Sequence, residues 1–357
     1  MTNKRLFKRL LNVYSWLEDD ISKEVFLARI NYLITGDKAY IDSLVRKYLP
    51  ELPVRNGENI KDMLAMIPQE EKIVLYGAGT DLETHIGELK KDPRIVAICD
   101  ADKEKQAKLL YGYPVISPES LTAAREYSVI ITSHIALRSI RDYLADCHYP
   151  EDKIYELAPY IFCADNGQYF SPEFMKYNTE GGEVFVDDGC CDLQSTMLLR
   201  KYCSNIRKVY AFEPDPENYL ICEQKKEKYR LDQVELIRKG TWSKTERLSF
   251  SATNDGSSHL TDQGDSYIDV VAIDDVVPLE EKVSLIKMDV EGAELESLKG
   301  AQKTIIRNKP KLAICIYHKP EDILELPEYI KSIVPDYKLY LRHHSNTDGE
   351  TVLYAVT

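Results

Sequence analysis

The strongest constraint on this 357-residue chain lies at its end. Two strand-like runs, 337–342 and 351–356, are separated by only about eight residues, His343 to Glu350, with Asp348-Gly349 among them. Parallel neighbours need a crossover of about a dozen residues or more, so these two strands must pair antiparallel or leave the sheet. Upstream the pattern alternates. Strands are expected at 183–188, 208–212, 234–237, 284–288 and 311–316, with helices at 193–203, 216–229, 293–307 and 321–332. Such alternation predicts a parallel sheet with helices on its faces. Between 234–237 and 284–288, the runs 247–251 and 269–271 read as inserted β structure around a polar loop, Asn254-Asp255-Gly256-Ser257-Ser258, with His259 after it.

A second α/β unit precedes this one. Strands are expected at 72–76, 94–99, 113–116, 128–132 and 153–155, with helices near 80–90, 118–125 and 135–145. Residues 5–49 carry helical spacing up to Pro50, and 158–182 has no clean period. The expected organisation is a helical segment 1–55, a Rossmann-like domain 56–157, a connector 158–182 and a second α/β domain 183–357. A prior of about one domain per ~150 residues agrees with two α/β modules.

Composition excludes some roles. With 46 basic and 59 acidic residues the net charge is −13, which opposes binding to nucleic acid phosphates. No apolar run approaches the ~20 residues of a membrane span. The start carries Lys4, Arg5, Lys8 and Arg9 before Leu10, Leu11, Val13, Trp16 and Leu17, without the apolar core or cleavage site of a secretory signal. As a helix it would lie on a membrane surface or pack on its own protein. Acids at 18–20 favour the second. The eight cysteines show no two-residue gap, so metal through cysteine is not expected, and reduced thiols and a cytoplasmic location are.

Each α/β unit has a glycine turn after its first strand and an acid closing its second: Gly77, Gly79 and Asp100, then Asp187, Gly189 and Glu213. An acid at that spacing is placed to bond a ribose. Neither turn is a full dinucleotide fingerprint: Leu82, Cys191 and Leu193 stand where glycines would be. In the second turn Asp187, Asp188, Asp192, Glu213 and Asp215 should crowd the strand ends. That field repels a pyrophosphate and suits a ligand carrying sulfonium and ammonium groups. S-adenosylmethionine (SAM) meets that description. A mostly parallel sheet closing in an antiparallel hairpin is also the layout expected of class I SAM-dependent methyltransferases.

Four ordered blocks then carry a family resemblance. Val184-Phe185-Val186-Asp187-Asp188-Gly189, Ala211-Phe212-Glu213-Pro214-Asp215-Pro216, Leu285-Ile286-Lys287-Met288-Asp289-Val290-Glu291-Gly292-Ala293-Glu294 and Tyr317-His318-Lys319-Pro320-Glu321-Asp322 resemble the FkbM-type SAM-dependent methyltransferases, as does the closing Leu341-Arg342-His343-His344. The resemblance spans roughly 168–357. It implies methyl transfer from SAM to an oxygen of a sugar, glycan or other small-molecule acceptor, a carbohydrate modification. The chain departs from the pattern at Leu193, where relatives usually keep glycine.

On this reading Asp187 and Gly189 form the turn against the methionine end of SAM, and Glu213 takes the ribose hydroxyls. Trp242 packs on adenine or in the core. Asp289 lies near the transferring methyl or caps the next helix, and Glu291 stands beside it. His318, just past the fifth strand, is the candidate base, since a histidine titrating near neutrality suits proton removal from a hydroxyl. His343 or His344 would face the acceptor or solvent. Asp289 with Glu291 could instead hold a divalent cation, a reading placed second, so that no metal is expected. In the first unit Gly77, Gly79 and Asp100 would serve a nucleotide or nucleotide-sugar. A rival reading makes the whole chain such a binding protein with a degenerate methyltransferase fold. Self-association is left open.

Overall fold

The computed structural model describes residues 3–50, 58–134, 136–161, 167–177, 180–251, 259–260 and 266–357. The polar loop 254–258 and most of the 51–59 linker lie outside them. The chain is mixed α/β and divides into two compact units, Met1–Leu49 with Ala164–Thr357, and Pro50–Cys163. The helical N-terminus is thus part of the C-terminal unit rather than a separate segment. Burial explains this: Val13, Leu17, Val25 and Phe26 share one core with Val186, Phe212, Ile286, Ile330 and Leu339. Arg9 pairs with Glu328 at 2.7 Å, tying the helix Asn3–Trp16 to the helix Asp322–Ile333. The helix packs on its own protein through Val13, with Leu17 buried just past its end, while Leu6, Phe7 and Leu11 stay exposed.

The large sheet of this unit has seven strands: Glu183–Asp188, Ile206–Phe212, Val234–Ile237, Leu285–Met288, Lys311–Cys315, Lys338–His343 and Thr351–Val356. Numbered in chain order, they lie sixth, seventh, fifth, fourth, first, second, third across the sheet. The first five run parallel, and the seventh is antiparallel to both the fifth and the sixth. A strand covered on both faces reads as a continuous apolar run. In the first strand Val184 and Val186 enter one core, and Phe185 enters the other with Ala211, Leu285 and Ala313. The inserted segment forms a separate four-stranded sheet, Gly240–Thr241, Ser266–Val271, Glu246–Ser251 and His259–Leu260 in spatial order.

The helix expected over 293–307 is two, Glu294–Gly300 and Gln302–Asn308. A Cβ on Gly300 would lie 2.0 Å from the Trp242 carbonyl oxygen, a backbone approach that only glycine permits.

The Pro50–Cys163 unit carries a six-stranded sheet. Its spatial order is Leu109–Leu110, Tyr113–Ile116, Ile95–Cys99, Ile73–Tyr76, Ser128–Ile131, Ile154–Glu156. All pairs are parallel except the short hairpin at its edge, which turns through Tyr111 and Gly112. Its first strand is buried throughout and leads into the helix Thr80–Leu89.

Candidate functional site

The first strand of the large sheet ends in a turn held from inside. Gly189 has φ +75°, and a Cβ there would sit 1.9 Å from the carbonyl oxygen of Asp289. Glycine is required because the first and fourth strands end against each other. Asp187 is fully buried. Its Oδ2 accepts from Ser195 and Thr196 at 2.6 Å each, and Lys287 Nζ lies 3.7 Å from Oδ1. Lys287 also donates to the Gly189 carbonyl at 2.6 Å and lies over the Tyr169 ring. Burial alone would drive this ammonium toward neutrality, but the charges of Asp187 and Asp289 hold its pKa above the usual lysine range. Removing either member of such a buried pair costs roughly 3–5 kcal/mol, because the other charge is stranded. Asp187 therefore shapes the turn rather than reaching out of it.

Cys191 and Leu193 both have left-handed backbone, φ +51° and +62°. The position at Leu193 asks for glycine, and leucine pays roughly 1–2 kcal/mol in local strain. Its side chain is fully buried beside Phe185 and Leu199, which offsets that cost by about 2–3 kcal/mol. The turn thus keeps its shape without its glycine.

Acids do gather at the strand ends, but most are already engaged. Asp188 accepts from Thr241 at 2.8 and 2.9 Å, and burial lifts its pKa to about 7. Asp192 pairs with Lys225, and Asp215 caps the helix Pro216–Lys228. The anionic field inferred from sequence is therefore largely cancelled by internal donors. Glu213 differs. It accepts from the Asp215 amide at 2.8 Å, has no ion pair among the described residues, and is pushed up to about 8 by burial. Trp242 packs on the small sheet with Leu248, Ile268 and Val270, in the core position weighed against adenine stacking.

Past the fourth and fifth strands the structure brings Asp289, Glu291 and His318 together. His318 Nε2 lies 3.4 Å from Asp289 Oδ1 and 3.5 Å from Glu291 Oε2, while Nδ1 is 2.7 Å from Glu294 Oε1. Burial would lower the histidine pKa, but the bond to Glu294 and three carboxylate charges push it up to about 10. That direction favours the protonated ring over the free base expected from the sequence for His318. Burial lifts Glu291 to about 7 against the pull of His318. For Asp289, Lys287, His318 and the Tyr169 hydroxyl at 2.8 Å outweigh burial and keep it below the usual carboxylate range.

Tyr169, Lys287, Glu294, Tyr317 and Glu350 were not among the site residues expected from the sequence. Glu350 accepts from Gln168 at 2.7 Å and Tyr317 at 3.2 Å, and burial together with Asp289 lifts it to about 7. His343 and His344 are buried rather than solvent-exposed. His343 meets Thr351 at 3.0 Å, is pushed down to about 3 by burial, and His344 meets the Tyr354 hydroxyl at 2.6 Å.

In the other unit, Asp100 is occupied by its own turn. Its Oδ2 accepts from the Ala78 amide at 2.7 Å, its Oδ1 from the Asp102 amide at 2.8 Å, and Lys105 stands 3.6 Å away. Gly77 has φ +113° beside Ser133, whereas Gly79 has nothing within 4 Å of a notional Cβ.

Comparison with known proteins places these findings. Residues 183–337 match the family model described as the Methyltransferase FkbM domain, and residues 69–155 match one described as C2185-like, N-terminal. No curated protein matches the chain. Among solved structures, Methyltransferase FkbM from Methylobacillus flagellatus KT is similar with a TM-score of 0.51 and 20% identity, over 92% of this chain and 100% of that one. SMU.1697c from Streptococcus mutans, in complex with SAH, aligns over 53% of this chain and 96% of that one, with a TM-score of 0.33 and 14% identity. A SAM dependent methyltransferase from Aquifex aeolicus aligns over 53% and 91%, with a TM-score of 0.32 and 18% identity. The first likeness establishes the fold. With the family match, residues 183–337 are a methyltransferase domain, whose cofactor is S-adenosylmethionine. No described helix is long and apolar enough to cross a membrane.

Proposed function

We propose that the chain transfers a methyl group from SAM to a hydroxyl oxygen of a sugar, glycan or related small-molecule acceptor. The observation that carries this reading is the meeting of the Gly189 turn with Asp289 at one end of the parallel strands, with Glu213 beside the turn. A turn that opens on Gly189 and a buried carboxyl with no ion pair among the described residues fit a ligand with a ribose diol and an amino-acid end. SAM supplies an electrophilic methyl on a sulfonium. The turn 189–193 would seat its amino-acid end, and Glu213 its ribose hydroxyls. Asp289 and Glu291 would bracket the acceptor, and holding its oxygen in line with the methyl accounts for much of the acceleration.

The hydroxyl must lose a proton as the new bond forms. His318, held through Nδ1 by Glu294, would orient the carboxylates that face it. Glu350, which accepts from Gln168 and Tyr317 beside Tyr169 and Asp289 and whose pKa burial raises, would take the proton. The wall of Gln168, Tyr169, Tyr317 and Glu350 offers donors and acceptors to a polyhydroxylated ligand. Both sheets read as Rossmann-like, and the Pro50–Cys163 unit would take a nucleotide or nucleotide-sugar through groups other than Asp100, which its own turn occupies.

The test is transfer of labelled methyl from SAM to a panel of sugars and nucleotide-sugars by the full chain. Product carrying an O-methyl group that alkali does not release is expected, with at least a hundredfold lower rate for Glu350→Gln. Nucleotide-sugar binding with no transfer to any acceptor would favour the rival binding-protein reading.

A further inference from the structure

The cluster past the fourth strand has the geometry of a ligand set rather than of a closed salt bridge. Asp289, Glu291 and His318 each offer one ligand atom, and the three atoms lie within 4.8 Å of one another. The histidine is nine-tenths buried, at 8% side-chain exposure, and its Nε2 has no hydrogen-bond partner although it points at two carboxylates. Asp289 Oδ1, the atom facing it, likewise has none. The outer atoms of the same groups are fixed. Glu294 Oε1 holds His318 Nδ1 at 2.7 Å, and Tyr169 holds Asp289 Oδ2 at 2.8 Å. A carboxylate on the far nitrogen of an imidazole sets its tautomer and aims the other nitrogen, as metal-binding histidines require.

We infer that Asp289, Glu291 and His318 form a site for one divalent first-row transition ion of the Mn²⁺ or Zn²⁺ kind. One imidazole with two carboxylates suits these ions better than Mg²⁺ or Ca²⁺, which prefer all-oxygen shells. Binding displaces the proton from Nε2 to solvent. Asp289 and Glu291 retain 25% and 29% side-chain exposure, so the two carboxylates border solvent while Asp289 Oδ1 and His318 Nε2 are themselves buried. An ion there would polarise the acceptor oxygen and ease its deprotonation. That role rests on the methyltransferase reading; the site itself does not.

The experiment uses the full chain, treated with chelator and then freed of it, and titrated with Mn²⁺ alone while electron paramagnetic resonance reads the free ion. One Mn²⁺ per chain at micromolar concentration, displaced by Zn²⁺, is expected. His318→Gln and Asp289→Asn should each weaken binding at least tenfold, with circular dichroism showing both remain folded. A wild-type chain that binds neither ion up to 1 mM, or variants that bind Mn²⁺ as tightly as wild type, would overturn the site. SAM titration of the same metal-free sample separates the two readings: SAM bound without Mn²⁺ binding sinks only the metal site, and Mn²⁺ bound without SAM sinks only the methyltransferase role.

Discussion

The turns after Ile73–Tyr76 and after Glu183–Asp188 are built to one plan, with a glycine at positive φ, a following helix and an acid closing the next strand. Their acids have different fates. Asp100 receives two backbone amides and a lysine 3.6 Å away, so its charge is answered within the turn. Glu213 receives amides and feels the charge of Lys287 but has no ion pair among the described residues, and burial pushes it up to about 8. An acid whose charge is satisfied works as a brace. One left in a desolvated place is poised for hydroxyls from outside, and that difference, more than the shared spacing, separates a structural turn from a binding turn.

The largest test of the contrast is at the glycines. Gly189→Ala would set a Cβ 1.9 Å from the Asp289 carbonyl and should cost on the order of 4 kcal/mol in urea denaturation, with loss of SAM binding. Gly79→Ala, with open space around it, should change stability by about 0.5 kcal/mol at most. A mild Gly189→Ala would mean the two strand ends can separate.

Next is Leu193→Gly. It removes roughly 1–2 kcal/mol of left-handed strain but deletes a buried leucine worth roughly 3–4 kcal/mol, so net destabilisation of about 2 kcal/mol is expected. SAM affinity by calorimetry should stay within about threefold of wild type, since the backbone already holds the turn. A stabilised variant would show that the strain outweighs the packing.

Glu213 gives a smaller, pH-dependent effect. Its carboxyl, near 4.5 unfolded and about 8 folded, keeps a proton in the native state that the unfolded chain has lost. Stability should therefore fall as pH rises from about 4.5 toward about 8, and Glu213→Gln should flatten that slope. If the ionised form takes the ribose hydroxyls, SAM affinity should rise about tenfold between pH 7 and pH 9 in wild type and not in Glu213→Gln. The matching Asp100→Ala should cost only about 1 kcal/mol, from the lost turn bonds, and leave SAM affinity unchanged.

Much of this frame was legible in the sequence. The strands Glu183–Asp188, Val234–Ile237 and Thr351–Val356 stand where their apolar runs place them, and the short gap before Thr351 forced the antiparallel closure. Asp289, Glu291 and His318 were readable as strand-end residues, but not the contact of His318 with Glu294 from the neighbouring helix, which raises its pKa. Tyr169 and Glu350 were hidden because they come from an aperiodic connector and a hairpin loop, and only the fold brings them to the site. Lys287 did leave a signal: a lysine inside the fully buried run Leu285–Met288 must have a buried counter-charge, and Asp187 is that partner. The break in the helix pair at Ala301 was illegible, and so was the close approach of the Trp242 backbone to Gly300 beside it.

The most direct test of the central claim is calorimetric titration of the full chain with SAM and S-adenosylhomocysteine at pH 8. The account predicts one site per chain at micromolar affinity for both, weakened at least tenfold in Glu213→Ala and unaltered in Asp100→Ala. A folded chain that binds neither ligand, or one whose affinity is indifferent to Glu213 and falls with Asp100, would contradict it.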